Sequence, residues 1–245
     1  MKKNNDLYLF AVAAILGLVL AQGCSSIGRG GTTTHIAWTF DRNLVRLDAT
    51  VGGRDGSFLI GTAAPQTIVD DGFPADRSLR GRVGVNLGDR FAATVDPARA
   101  DLAGLADGVL GNDVWRGRSL TIDYQRGLLI IGKTLDPMAD APRFRFRSVP
   151  SVIVTIDGVA TTAIVDTASP DTVLLPARRF GAPGRRTISL RVADTTFDEV
   201  DARVAPVDEV RLGNRILAHF LLTIDYPRSE VSLWRHGRVP APSAP

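Results

Sequence analysis

In this 245-residue chain Asp166 directly follows the apolar residues 163–165, and a carboxylate is a group that can act in acid–base chemistry. Ser169 lies close by, but the sequence offers it no histidine partner, which argues against a serine triad. The histidines are far apart and show no metal-ligand spacing, so we expect neither a metal site nor a cofactor. They are His35, His219 and His236.

The sequence around Asp166 occurs twice. Residues 58–69 align with residues 163–174 at an offset of 105 positions, without a gap. Further along the chain, residues 120–126 align with residues 222–228 at an offset of 102 positions. Two ordered and nearly co-linear matches predict an internal duplication, and therefore two related lobes.

Short runs of alternating hydrophobicity that end in turn residues dominate each copy, which predicts an all-β fold class. Examples are residues 47–53, which end in Gly-Gly, and residues 151–158, which end in Asp-Gly. Helical periodicity is scarce, although residues 97–105 and 176–180 have room for a turn or two of helix.

The second copy resembles the active-site hairpin of the retropepsin-like and pepsin-like aspartic proteases. Residues 154–176 read as an apolar strand, a glycine turn and a second apolar strand that leads into Asp166-Thr167-Ala168, close to the family's Asp-Thr-Gly. Val109-Leu110-Gly111 resembles the apolar-apolar-glycine element behind that loop. The resemblance covers residues 44–234 and implies two homologous β-barrel lobes in one chain, with a central cleft.

In that family each lobe supplies one aspartate, and the two carboxylates share a proton, so that one activates water while the other protonates the substrate. Here Gly61-Thr62-Ala63 stands in the first lobe where the second has Asp166-Thr167-Ala168. The resemblance therefore implies one catalytic residue, Asp166, facing a degenerate counterpart with no partner charge. Both tripeptides also carry alanine where the family has glycine, and a methyl group there could crowd the loop.

A second register would place the missing acid at Asp70, because residues 68–72 also resemble the Val-Asp-Thr-Gly signature. The strand before it would then contain Pro65, which disfavours a strand. A polar turn is the interpretation that we prefer for Asp70 and Asp71.

The N-terminus has the features of a bacterial lipoprotein signal. Two lysines precede an apolar run over residues 7–20, and residues 20–25 resemble a lipobox around Cys24, the single cysteine. Ser25 favours sorting to the outer membrane. We expect an exported protein that is anchored on the periplasmic face through lipid on Cys24, and an ordinary signal peptide cleaved nearby is the alternative.

These features predict five segments. They are a signal peptide (1–23), a flexible tether (24–34), an N-terminal aspartic-protease-like lobe (35–140), a C-terminal aspartic-protease-like lobe (141–236) and a disordered tail (237–245). The formal net charge is only +3 and the arginines are scattered, so we expect no nucleic-acid partner. We expect a monomer.

Three functions fit the sequence. The first is a pseudo-protease that binds a peptide, a protein or another envelope ligand in the cleft, since such clefts pair with an extended chain. The second is an active endopeptidase that uses Asp166 with an unidentified second acid. The third is a structural or assembly lipoprotein of the cell envelope whose surface binds a partner.

Overall fold

A computed structural model of the protein describes residues 33–74, 81–133 and 140–235. The predicted signal peptide, Cys24 and the predicted tail 237–245 lie outside the described residues. Thr34, the last residue of the predicted tether, belongs to the first strand. No helix among the described residues is long and apolar enough to cross a membrane.

Short strands joined by tight turns make up the described chain. The elements up to residue 132 are β1 (Thr34–Ala37), β2 (Thr39–Asp41), β3 (Leu44–Val51), β4 (Arg54–Ile60), β5 (Ile68–Asp70), β6 (Val83–Leu87), β7 (Phe91–Val95), β8 (Ala98–Ala100), β9 (Gly108–Leu110), α1 (Asn112–Trp115), β10 (Ser119–Asp123) and β11 (Leu128–Gly132). The elements after it are β12 (Arg143–Arg145), β13 (Ser151–Ile156), β14 (Val159–Val165), β15 (Val173–Pro176), α2 (Ala177–Phe180), β16 (Gly184–Val192), β17 (Thr195–Ala205), β18 (Val210–Leu212), α3 (Asn214–Leu217), β19 (Phe220–Asp225) and β20 (Glu230–Arg235).

The second lobe is a closed barrel with the strand order β13-β14-β18-β15-β17-β16. The first lobe repeats this order, but its sheet runs β7-β6-β3-β4-β9-β5-β8, with β2 on β3. Strand β17 closes the second barrel because it pairs with both β16 and β15. Its counterpart in the first lobe is divided into β7 and β8 around Pro97. Proline has no backbone N–H and cannot donate a hydrogen bond to a neighbouring strand.

The predicted all-β class with two related lobes is confirmed, and one lobe is a half-barrel among the described residues. The helix expected within residues 176–180 is α2. The helix expected within residues 97–105 is wrong, because β8 occupies the start of that segment and pairs with β5.

A six-stranded sheet with the order β1-β11-β10-β19-β20-β12 joins the two halves. At its centre Thr121 lies opposite Thr223, and their buried hydroxyl oxygens are 2.8 Å apart. The register on either side is symmetric, since Ser119 pairs with Asp225 and Asp123 pairs with Leu221. A pseudo-twofold axis therefore passes between the two threonines, on the strands where the second pair of sequence repeats lies.

Two tyrosines cross from one half to the other. The hydroxyl of Tyr124 donates to Oδ1 of Asn214, and the hydroxyl of Tyr226 donates to Oδ1 of Asn112, each at 2.7 Å. Desolvation by burial raises the pKa of both tyrosines above the ordinary value of 10.0. These two hydrogen bonds therefore join the halves only while both tyrosine hydroxyls stay protonated.

The raised tyrosine pKa values predict a loss of stability above pH 10. The unfolded chain releases the two protons near pH 10 while the folded chain keeps them, so the contribution is complete below that pH and is lost as pH rises further. For two tyrosines this amounts to roughly 1.5 kcal/mol at about pH 10.5. Urea unfolding at pH 8 and pH 10.5 should show the native chain losing more stability than the Tyr124→Phe/Tyr226→Phe variant. Equal losses in the two chains would contradict the interpretation.

Candidate functional site

The loops that follow β4 and β14 meet at the pseudo-twofold axis. The Thr62 hydroxyl donates to the carbonyl of Val165 at 2.5 Å, and the Thr167 hydroxyl donates to the carbonyl of Ile60 at 2.6 Å. Each threonine hydroxyl also accepts the backbone N–H of the other threonine at 3.2 Å. Both side chains are completely buried. The structure therefore brings Gly61 and Asp166 to equivalent positions beside this contact.

Strands β9 and β18 lie directly behind the two loops. The backbone N–H of Gly61 donates to the carbonyl of Leu110, and that of Asp166 donates to the carbonyl of Leu212, both at 2.9 Å. A Cβ atom at Gly111 would lie 2.3 Å from the backbone of Gln66. Only glycine permits this close crossing of the chain, which explains the glycine of the apolar-apolar-glycine element.

Asp166 is buried and both of its carboxylate oxygens are engaged. Oδ1 accepts the backbone N–H of Ala168 at 3.2 Å, and Oδ2 lies 3.0 Å from Nη1 of Arg211. The carboxylate side chain is 8% exposed, while that of Arg211 is 35% exposed. The expectation that Asp166 has no partner charge is therefore wrong. Arg211 can reach it because alternate residues of a strand face opposite sides, and Val210 and Leu212 face the barrel core.

The space beside Gly61 is filled by Val109. A Cβ atom built on Gly61 would lie 2.3 Å from Cγ1 of Val109, which is closer than two such atoms can approach. A side chain at position 61 would therefore meet Val109 first. Val109 and Arg211 are 102 positions apart and occupy equivalent places on β9 and β18.

Each lobe thus carries a matched pair at the loop: Gly61 with Val109, and Asp166 with Arg211. An apolar residue stands behind the position that has no side chain, and a cation stands behind the position that has a carboxylate. This arrangement leaves no charge without a partner among the four residues, and buried charges are costly unless they are paired.

A small apolar cluster covers the loop of the first lobe. Leu44, Leu59 and Val109 form its buried centre, and Ala168 from the loop of the second lobe packs against it. Ala64 of the first loop also contacts this cluster. The surroundings of the first loop are therefore apolar, where a peptidase would need a charged group.

Asp70 lies outside this constellation. Its Oδ2 accepts the backbone N–H of Gly72 and its Oδ1 accepts that of Leu102, each at 2.7 Å. Oδ2 therefore serves the turn that follows β5, as the polar-turn interpretation predicts, and Oδ1 binds the segment that follows β8.

Sequence reasoning missed Arg211, although the signal was present. The offset of 102 positions aligns Val109-Leu110-Gly111 with Arg211-Leu212-Gly213, which places a cation in an otherwise apolar element. The three predicted residues at each loop, 61–63 and 166–168, lie together at the axis, whereas Cys24 lies outside the described residues. Within the described parts of the chain, no group of three or more potential metal ligands is found.

Among solved structures, the chain is similar to the aspartic proteinase from Irpex lacteus. The TM-score is 0.59 at 10% sequence identity, and the alignment covers 84% of this chain and 98% of that protein. The fold is that of an aspartic proteinase. No protein-family profile matches the sequence, and no curated protein matches it. At this level of identity the likeness concerns the fold alone.

Introducing a carboxylate at position 61 should destabilise the protein. Gly61→Asp places a side chain against Val109, and we expect it to lower the free energy of unfolding by roughly 2–4 kcal/mol through overpacking and charge burial. Gly61→Ala, the matched variant without charge, separates the steric part. Urea denaturation measures both.

Val109→Ala removes the atom that blocks position 61 and supplies the decisive comparison. The double variant Gly61→Asp/Val109→Ala should be more stable than the sum of the two single variants predicts, by about 1 kcal/mol or more. Strict additivity would show that Val109 does not limit this position.

Proposed function

We propose that the protein is an exported, lipid-anchored pseudo-protease that uses the aspartic proteinase fold to bind a peptide or another envelope ligand without cleaving it. The observation that carries the proposal is the matched difference between the two loops. The side chain of Val109 occupies the space beside Gly61, whereas Arg211 forms an ion pair with Asp166.

Hydrolysis on this fold needs two carboxylates with different protonation states and a water molecule between them. Glycine at position 61 provides no such group, and the side chain of Val109 occupies the adjoining space. Asp166 has no second carboxylate with which to share a proton, because the charge beside it is the guanidinium of Arg211. These contacts argue against the active endopeptidase as an alternative.

Binding without cleavage requires only the cleft and donor groups at its floor. Arg211 is about one-third exposed, and a guanidinium has donors in a fixed planar arrangement that suit carbonyl or carboxylate oxygens. A ligand that reaches the loops would therefore meet hydrogen-bond donors where a peptidase would present a water-activating dyad.

A structural or assembly role is the second candidate, and one observation favours it. The cluster of Leu44, Leu59 and Val109 from the first lobe packs against Ala168 from the loop of the second lobe. If a ligand cannot enter there, the protein would act through its outer surface.

Incubating the mature protein with a library of extended peptides at neutral pH distinguishes the two roles. Mass spectrometry of the retained peptides should find them intact, and Arg211→Met should retain fewer of them. If the native protein retains no peptide above background, the cleft-binding role is rejected in favour of the assembly role.

The native protein should show no peptidase activity that pepstatin inhibits, at acidic or neutral pH. The expected rate of peptide cleavage equals the buffer blank, and Asp166→Asn should leave it unchanged because no dyad exists to be broken. A fluorogenic peptide library measures this, with an active aspartic proteinase as the positive control. Acid-optimal cleavage that disappears in Asp166→Asn would overturn the pseudo-protease assignment.

The proposed lipid anchor rests on Cys24, the single cysteine of the chain. Cys24→Ala removes the only thiol available for acylation, so the variant should move from the membrane fraction to the soluble fraction in cell fractionation. Gly30→Ala is a matched control within the predicted tether and should stay with the membrane. Retention of Cys24→Ala on the membrane would contradict the lipoprotein assignment.

A further inference from the structure

A pocket of about 310 Å³ lies where the turn between β2 and β3 meets the second lobe, and its lining includes residues 170–172 at the end of the loop that follows β14. Its lining is rich in charge and includes four arginines. The charged residues are Arg42, Arg185, Arg203, Arg215, Asp171 and Asp201. Four cations and two carboxylates give this surface a formal charge of +2.

Only two of the four guanidinium groups have acidic partners. Arg203 donates to both oxygens of Asp171, with Nε 3.1 Å from Oδ1, and Arg185 pairs with Asp201. Within the described residues, the structure gives the exposed side chains of Arg42 and Arg215 no ion pair and no hydrogen bond. The excess positive charge therefore belongs to these two residues, one from each lobe.

The position of Arg42 is unfavourable for an arginine, which makes its presence informative. Arg42 and Asn43 form the two-residue turn of the β2–β3 hairpin, with φ values of 50° and 61°. Such turns favour asparagine and glycine, and a left-handed conformation costs another residue type about 1 kcal/mol. Turn formation alone thus does not account for arginine here.

The same turn is anchored on the opposite lobe. Nδ2 of Asn214 donates to the carbonyl of Asn43 at 2.7 Å, and Asn214 is completely buried. The backbone of Arg42 is therefore held at a fixed place relative to that of Arg215, which follows Asn214 directly. A fixed backbone spacing reduces the conformational freedom that is lost when one anion binds both side chains.

We propose that this arginine pocket, defined by Arg42, Arg185, Arg203 and Arg215, binds a phosphate group. A phosphate monoester carries nearly two negative charges at neutral pH, which match the formal charge of +2. Guanidinium groups suit phosphate because their planar donors bind its oxygens in pairs. Two sources can supply this phosphate, a soluble ligand and a lipid headgroup, and the chemistry that recognises them is the same.

Binding of inorganic phosphate to the full chain by isothermal titration calorimetry, at neutral pH and low ionic strength, tests the pocket. We expect saturable binding to the native protein that weakens at least tenfold in Arg42→Asn/Arg215→Gln. Asparagine suits the left-handed turn, so this variant should fold like the native chain, as circular dichroism will check. Arg116→Gln is the matched control, an exposed arginine of the first lobe outside the pocket, and should bind like the native protein.

Vesicles distinguish the two sources of phosphate. The Cys24→Ala chain is used so that no acyl chain contributes, with vesicles of phosphatidic acid in phosphatidylcholine and vesicles of phosphatidylcholine alone. Binding to the former that depends on Arg42 and Arg215 indicates a lipid headgroup, and binding to inorganic phosphate alone indicates a soluble ligand. Absence of both, or equal binding by Arg42→Asn/Arg215→Gln and Arg116→Gln, would overturn the proposal.

Discussion

The reciprocal hydrogen bonds between Thr62 and Thr167 are the constraint on which the rest of the site depends. Each buried hydroxyl satisfies a carbonyl of the other lobe and accepts the backbone N–H of the other threonine. A buried polar group that loses its partner costs about 1–3 kcal/mol, so neither loop can move without the other. The contact fixes positions 61 and 166 in equivalent places and determines what can stand beside them.

Within this symmetric frame the two lobes differ in a concerted manner. The lobe without a carboxylate has Val109 behind its loop, and the lobe with one has Arg211. A buried carboxylate that lacks a partner is strongly destabilising, whereas a satisfied ion pair is not. In each lobe the residue behind the loop therefore matches the loop residue in both size and charge. This match allows a stable fold without the pair of like charges that an aspartic peptidase contains.

Much of this architecture could be predicted from the sequence because it depends on local patterns. Period-two hydrophobicity and glycine turns predicted the strands, and the offsets of 105 and 102 positions predicted the two lobes. Asp123 and Asp225, which repeat in tight turns, accept the backbone N–H groups of Arg126 and Arg228, as turn chemistry requires.

The features that could not be predicted depend on distant parts of the chain. The pairing of Asp166 with Arg211 requires the parallel register of β14 and β18, which no short-range pattern specifies. The interruption between β7 and β8 contains Pro97, and its place in the half-barrel appears only when the strand order is known. The arginine pocket joins residues 42 and 215, which only the folded chain brings together.

A double-mutant cycle on Asp166 and Arg211 tests most directly whether the guanidinium of Arg211 is the charge that stabilises the buried carboxylate of Asp166. Asp166→Asn and Arg211→Met, singly and together, are compared by urea unfolding at pH 7. A direct ion pair with a buried carboxylate predicts a coupling energy of about 1.5 kcal/mol or more, with Arg211→Met alone as the least stable chain. A coupling energy indistinguishable from zero would contradict the account.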